Sequence, residues 1–294
     1  MSVRALRISL CLCLAAAAAA LVLIGGWRFF DHDELEHLHS AWYVLAGARP
    51  YLDFFQHHHP LLWYLAAPLV LLSGQQPEAL LFARSLMLAN TGLILYLTYL
   101  LGRRLWGSLA GALAALSLMS TGLFVQKAIE FRPDGPMTLF LLAASLSLFS
   151  YLERPRPGRA VWTGLFLGLA LLFLQKAVFG ICLFGLIAAV EAGRGRIDWR
   201  EAILALAAGL AVLAPGAVYL AATGHFGDYW FFNWTLNLHW LHHFPAHHAI
   251  RESVEENLLF YLAAVAGFCL LAFDQKTRDR RLLWLAVLGG GLFL

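Results

Sequence analysis

Long apolar runs separated by short polar segments make up most of the chain. The runs lie near residues 8–26, 80–101, 107–125, 136–152, 160–174, 177–192, 201–222 and 257–273. Because a helix needs about 20 apolar residues to cross a bilayer, this pattern predicts an all-α polytopic membrane protein, with residues 1–294 forming a single transmembrane module. The composition, 61% hydrophobic and 13% charged with a mean hydropathy of +0.69, excludes a soluble globular protein.

The two ends of the chain carry separate expectations. The run at 8–26 follows a basic start, as in a cleaved signal peptide. It is longer than a usual signal core, so we expect a retained first helix with a cytoplasmic N-terminus. A last apolar run begins at residue 282 and is still apolar at Leu294, from which we expect a C-terminally truncated chain. The four cysteines lie inside apolar runs and are interpreted as core residues.

A short apolar run at 60–73 decides the predicted topology. It is flanked by prolines and carries Trp63 and Tyr64, which suits a helix lying in the membrane interface. If this run does not cross the membrane, fourteen of the 21 basic residues face the cytoplasm, as the positive-inside rule expects. These are Arg4, Arg7, Arg103, Arg104, Arg154, Arg156, Arg159, Arg194, Arg196, Arg200, Lys276, Arg278, Arg280 and Arg281.

This topology predicts three external loops, at 27–79, 126–135 and 223–256, and an external hairpin turn at Lys176 within the apolar stretch 160–192. The first loop then presents juxtamembrane helices. All twelve histidines fall on the external side: His32, His37, His39, His57, His58, His59, His225, His239, His242, His243, His247 and His248. We therefore expect the polar chemistry of the protein on one face of the membrane.

The first external loop holds the densest candidate chemistry. It opens with the four carboxylates Asp31, Asp33, Glu34 and Glu36 and carries six histidines between apolar helices, and ionisable groups near a bilayer usually mark function. On a helix, Asp33 and His37 stand on one face, with Glu36 three residues beyond Asp33. A carboxylate beside a histidine can orient a base or hold a divalent ion. The alternative is a polar helix face in water.

Further candidates lie in the later loops. Arg132 and Asp134 flank Pro133 before the run at 136, although Asp134 could simply cap that helix. Lys176 has no carboxylate nearby in the sequence. An unpaired lysine at such a place costs about 2.5–3.5 kcal/mol, which a phosphate would offset; a lipid headgroup contact is the alternative.

The loop at 223–256 is rich in tryptophan and histidine. Its tryptophans suit either a membrane interface or the face of a sugar. His239 with His242, or His243 with His247, has the spacing of helical metal ligands; polar decoration is the alternative. The sequence contains no glycine-rich phosphate loop, no CxxC and no GxSxG, so nucleotide-driven transport and serine hydrolysis have no visible machinery.

Taken together, residues 20–195 resemble the membrane glycosyltransferases of the C-type fold. The similarity is greatest to the group of the protein O-mannosyltransferases and the aminoarabinose transferase that modifies lipid A. The residues on which this similarity rests are Asp33-Glu34, Gly47, Tyr51-x-Asp53, His59-Pro60, Arg84, Gly102-Arg103-Arg104, Arg132-Pro133-Asp134 and Lys176. The chain departs from the group at His58-His59-Pro60-Leu61, where relatives often have Lys-Pro-Pro or His-Pro-Pro.

The resemblance implies inverting sugar transfer from a polyprenyl-phosphate donor to a lipid, protein or glycan hydroxyl. We expect an external active site on a bacterial inner membrane and no nucleic-acid partner. Asp33 would be the general base with Glu34 in support, and Asp134 would orient the acceptor or share a divalent metal ion with Asp33. The expected substrate-binding residues are Lys176, Arg132, His58, His59, Arg84, Asp53 and Tyr51. The alternative is a histidine-rich metal-binding or transport protein without transferase activity.

Overall fold

A computed structural model describes residues 3–73, 76–240 and 246–273. This part of the chain is predominantly helical, which confirms the predicted all-α membrane fold. The elements are α1 (Val3–Trp27), α2 (His32–Leu45), α3 (Leu61–Leu72), α4 (Ala79–Trp106), α5 (Ser108–Met119), α6 (Gly122–Lys127), α7 (Asp134–Glu153), α8 (Pro157–Phe173), α9 (Ala177–Gly193), α10 (Trp199–Thr223), α11 (Phe226–Trp230), a π-helical turn (Phe231–Thr235), α12 (Leu236–Trp240), α13 (Ala246–Glu256) and α14 (Leu258–Phe273).

Within the described residues, α4, α7 and α10 are long and apolar enough to cross a membrane. Residues 12–27 of α1 and helix α2 form a pair bent by 71°, which adds a fourth candidate if counted as one span. The apolar stretch 160–192 is two helices of 17 residues each, α8 and α9, or about 25 Å apiece. The helix break at 174–176 lies where the turn was predicted, and the external location of this turn stays a prediction. The run beginning at residue 282 lies outside the described residues.

The helices give the bundle two chemically different ends. Lys176, in the α8–α9 turn, contacts Asp134 at the start of α7, and we call this the polar end. At the other end of α7, Glu153 accepts a 3.0 Å hydrogen bond from Arg104 Nε. Since α7 has 20 residues, these two contacts lie about 30 Å apart. The second one marks an arginine-rich end, where Glu191 is paired with Arg194 and Arg196.

Helix α3 packs into the core at the polar end. Trp63 is fully buried there and clusters with Ala41 of α2, Ala83 of α4 and Phe131. The helix has 12 residues, so its length is about 18 Å, too short for a bilayer core of about 30 Å. The structure therefore contains a short helix in the run 60–73, and that it does not cross the membrane stays a prediction. Its location in the outer interface stays a prediction.

The apolar run at 107–125 does not form one continuous helix. The structure divides this run into α5 and α6 at Ser120 and Thr121. The hydroxyl of Ser120 donates to the Ser117 carbonyl at 2.7 Å, and that of Thr121 donates to the Leu118 carbonyl at 2.9 Å. Such local side-chain bonds compete with helix continuation, and apolar periodicity does not reveal them.

Glycines allow α8 and α10 to approach closely. A Cβ atom on Gly164 would lie 1.8 Å from the Ala205 carbonyl oxygen, and one on Gly168 would lie 2.7 Å from that of Gly209. Small residues four apart permit this backbone contact between membrane helices. Beside this contact, α7, α8, α9 and α10 line an apolar cavity of about 340 Å³, whose lining includes Gly164, Gly168 and Gly209. The close packing fixes the end of α8, and with it the turn that carries Lys176.

Gly164→Ala is expected to destabilise the bundle by about 1–3 kcal/mol, because the added methyl group overpacks the α8–α10 contact. Gly185→Ala on α9 is the matched control, since its Cβ would meet no atom within 4 Å and alanine favours helix over glycine. Thermal unfolding in detergent measures both. Equal unfolding midpoints for the two variants would contradict the close approach.

Candidate active site

The start of α2 places the first carboxylates of the site. Asp31 is the N-cap, and its carboxylate accepts a 3.0 Å hydrogen bond from the backbone N–H of Asp33. In return, Glu34 Oε2 accepts from the N–H of Asp31 at 2.9 Å, which completes a capping box. The same residues that begin the helix therefore aim Asp33 and Glu34 in different directions.

Glu34 points into the protein, where it forms an ion pair with Arg84. Both side chains are buried, and the guanidinium donates to both carboxylate oxygens, at 2.9 and 2.7 Å. Its remaining N–H groups donate to the carbonyls of Gly25, Arg28 and Phe29 at 2.7–2.9 Å. A guanidinium has five N–H donors, so Arg84 has none left for a substrate. This geometry favours a structural role for the pair over the catalytic and substrate-binding roles expected from the sequence.

Asp33 is the first residue in a chain of alternating charges at the polar end. Its Oδ2 atom forms an ion pair with Arg132 Nη1. Arg132 Nε lies 3.5 Å from Asp134 Oδ2, and Asp134 Oδ1 lies 3.4 Å from Lys176 Nζ. Four predicted site residues from three separate segments thus lie together. The side chain of Lys176 is 60% exposed and that of Asp33 24%, so the cluster is open on the lysine side.

Glu130 is a further carboxylate beside this cluster, and sequence reasoning missed it. It is fully buried, with Oε1 2.9 Å from Arg28 and Oε2 2.8 Å from Lys127 and 3.4 Å from Arg132. Burial lowers the pKa of Arg132, but Asp134, Asp33 and Glu130 outweigh that effect and raise it. Arg132 is therefore charged at neutral pH. The signal in the sequence that could have identified Glu130 was its position as a lone carboxylate two residues before Arg132.

The three-histidine segment joins the first and third loops. The His57 carbonyl accepts hydrogen bonds from Gln175 at 2.8 Å and Asn237 at 2.9 Å. His59 Nδ1 contacts the Leu171 carbonyl, which can only accept, so Nδ1 carries the proton. His59 Nε2 then accepts from the Tyr229 hydroxyl at 3.0 Å. Gln175, Tyr229 and Asn237 were not predicted as site residues.

The buried imidazoles of this region are held neutral. Burial lowers the pKa of His59 to about 4, although the Leu171 carbonyl raises it, and burial lowers that of His58 to about 2. His37 does not pair with Asp33; its Nδ1 accepts a 3.0 Å hydrogen bond from the Trp63 indole. Neutral imidazoles can position groups by hydrogen bonding, but they add no positive charge for a phosphate.

Tyr51 and Asp53, both expected to bind substrate, have local partners. The Tyr51 hydroxyl donates to the His58 carbonyl at 2.7 Å, and its backbone has a φ of +73°, a left-handed conformation that is rare outside glycine. Asp53 accepts from Arg49 Nε at 2.9 Å, and hydrogen bonding to Arg49 lowers the pKa of Asp53 to about 2. These contacts shape the loop before the histidines.

Asp33 and Asp134 do not fit a shared metal ion in this arrangement. Each of their four carboxylate oxygens faces a nitrogen: Asp33 faces His32 at 3.0 Å and Arg132, and Asp134 faces Arg132 and Lys176. An ion between them would have to displace Arg132. Asp31, His32 and Asp33 bring three ligand atoms within 4.8 Å of one another, but the His32 side chain is 87% exposed.

The third loop was predicted to offer metal ligands at histidine spacing. His239 Nδ1 contacts the Thr235 carbonyl at 2.9 Å, one helical turn back. His242 and His243 lie outside the described residues, as do the side chains of His247 and His248. What the loop does supply is Tyr229 and Asn237, which fasten it to the histidine segment at the polar end.

A family profile described as dolichyl-phosphate-mannose-protein mannosyltransferase matches residues 57–219, just over half of the chain. The match includes Arg132, Asp134 and Lys176 and begins after Asp33. No curated protein and no solved structure matches the chain. With its membrane-spanning helices, the chain thus belongs to the dolichyl-phosphate-mannose-protein mannosyltransferase family, membrane glycosyltransferases of the C-type fold.

Proposed function

We propose that the protein transfers a sugar from a polyprenyl-phosphate donor to an acceptor hydroxyl at the polar end. The observation that carries this proposal is the charge chain from Asp33 through Arg132 and Asp134 to Lys176. It combines a partly exposed carboxylate with two cations in one open cluster. A base for the acceptor and positive charge for the leaving phosphate are the two requirements of the reaction.

In the proposed reaction, the acceptor oxygen attacks the anomeric carbon as the bond from that carbon to the phosphate oxygen breaks. The hydroxyl proton moves to Asp33, and the electron pair of the broken bond leaves with the polyprenyl phosphate. Lys176 and Arg132 stabilise the charge on that phosphate, and preorganised charge of this kind is usually a large share of catalysis. One direct displacement inverts the anomeric centre. Asp134 holds the two cations in place.

The polar end is proposed to face the outside of the membrane. The support is the distribution of arginines, because Arg104, Arg159, Arg194 and Arg196 make their contacts at the opposite end. Basic residues favour the cytoplasmic side. A lipid-linked donor with its phosphate at the outer interface would reach Lys176 directly, since that side chain is largely exposed.

The test is transfer by the purified protein in proteoliposomes. Polyprenyl phosphates carrying radiolabelled mannose, glucose or aminoarabinose are offered with lipid A, peptide or glycan acceptors. We expect label on an acceptor, release of polyprenyl monophosphate and an inverted anomeric linkage. Transfer from a nucleotide sugar in the absence of any polyprenyl donor, or a retained linkage, would refute the proposal.

A further inference from the structure

Arg132 and Arg84 are held in very different ways. Arg84 is buried with five hydrogen bonds of 2.7–2.9 Å. Arg132 is partly exposed, and its contacts to Glu130 and Asp134 are 3.4 and 3.5 Å, at the outer limit of hydrogen bonding. The closest partner of Arg132 is Asp33. Arg84 is therefore fixed, whereas Arg132 can exchange one anionic partner for another.

The ion pair with Arg132 is in conflict with a basic role for Asp33. The guanidinium of Arg132 occupies the Asp33 Oδ2 atom, which is then not available to an acceptor hydroxyl. The second Asp33 oxygen faces His32 at 3.0 Å, so both oxygens are engaged. A base for the acceptor hydroxyl needs one oxygen within hydrogen-bond reach of that proton. The arrangement in this structure thus masks the base.

We propose that the phosphate of the donor replaces Asp33 as the ion-pair partner of Arg132, so that donor binding unmasks the general base. The inference rests on the proposed function and adds an order to it: donor first, then activation of the acceptor. The phosphate is an anion like the Asp33 carboxylate, and a guanidinium donates charge-assisted hydrogen bonds to either group. The exchange makes and breaks no covalent bond. Without a donor, the base stays paired.

Glu130 explains how Arg132 stays in reach during the exchange. It is fully buried, and Arg28 at 2.9 Å and Lys127 at 2.8 Å hold it in place. Arg132 Nη1 lies 3.4 Å from this fixed carboxylate. Glu130 is therefore a positioning residue. It tethers the guanidinium through Nη1 while the contact of that atom to Asp33 is replaced by a contact to phosphate.

The experiment measures the affinity of the detergent-purified protein for farnesyl phosphate, with farnesol as the uncharged reference ligand. Asp33→Asn removes the competing anion, so we expect about two- to fivefold tighter binding, the range for a partly exposed ion pair. Glu153→Gln is the control: its partner is also an arginine, its side chain is 28% exposed, and it lies at the arginine-rich end. It should leave the affinity unchanged.

An Arg132→Gln background separates exchange from general charge repulsion. If the gain passes through Arg132, Asp33→Asn adds nothing in that background, the result expected of a coupled pair. A gain that persists without Arg132, or an Asp33→Asn protein that binds farnesyl phosphate no better than wild type, would overturn the exchange. If the wild-type protein bound farnesyl phosphate no better than farnesol, the proposed function itself would fail.

Discussion

Asp33→Asn is expected to lower the rate of sugar transfer by about 10²–10⁴-fold, the usual contribution of a positioned general base. Asparagine keeps the shape of the side chain but cannot accept the acceptor's proton. The side chain is partly exposed, so the change should not unfold the protein. Turnover of a polyprenyl-phosphate sugar in proteoliposomes measures the effect.

The same variant is expected to bind farnesyl phosphate more tightly than the wild-type protein does. Loss of turnover with a gain in ligand affinity is a combination that misfolding cannot produce. Glu153→Gln, which removes a comparably exposed carboxylate at the arginine-rich end, should retain wild-type turnover. Full transfer by Asp33→Asn would remove Asp33 from the role of base.

Arg84→Met is expected to destabilise the protein by about 3–5 kcal/mol, because it leaves the buried Glu34 carboxylate without its partner. It also removes the donors to the Gly25, Arg28 and Phe29 carbonyls, which fix the bend between α1 and α2. The expected readout is a large fall in the thermal unfolding midpoint and in the yield of folded protein.

A double variant tests the pairing itself. Glu34→Gln combined with Arg84→Met removes both charges, so it should be less destabilised than the sum of the two single changes. Arg84→Lys is the informative conservative change, since an ammonium cannot supply five donors in a fork. If it unfolded like the wild-type protein but lost donor affinity, Arg84 would be a substrate ligand and the structural assignment would be wrong.

The helices were largely predictable because membrane spans have a strong composition signal. The break at 174–176 followed from Gln175 and Lys176 interrupting an otherwise apolar stretch. The division at Ser120 and Thr121 was not predicted, because hydroxyl groups are tolerated inside membrane helices and only their hydrogen bonds reveal the break. Local chemistry of this kind does not show in hydropathy.

The composition of the site was partly predictable for a different reason. Arg132, Asp134 and Lys176 were assigned to one face from topology alone, and the structure joins them to Asp33. Glu34 and Arg84 were assigned to the chemistry because the resemblance to the C-type glycosyltransferases implied those roles. Their actual partners include backbone carbonyls presented by the 71° bend, a tertiary feature without a sequence pattern.

The histidine segment shows the same limit. Three consecutive histidines indicate ligands by residue type, yet His59 uses both ring nitrogens on Leu171 and Tyr229. Tyr229 lies 170 residues further along the chain, in a loop whose tryptophans dominated the sequence pattern. Long-range pairing of this kind depends on how α8 and α10 pack. Their glycines permit that packing, but the sequence does not predict from them which side chains meet.

The most direct measurement is the position of the phosphate in a structure of the reconstituted protein with bound polyprenyl phosphate. Both ends of the bundle carry cations, so the location of the phosphate shows which of the two ends binds the donor. We predict the phosphate within hydrogen-bond distance of Lys176 Nζ and of Arg132, with Arg132 moved away from Asp33. A phosphate seated at the arginine-rich end, beside Arg194 and Arg196, would contradict the assignment of the polar end as the active site.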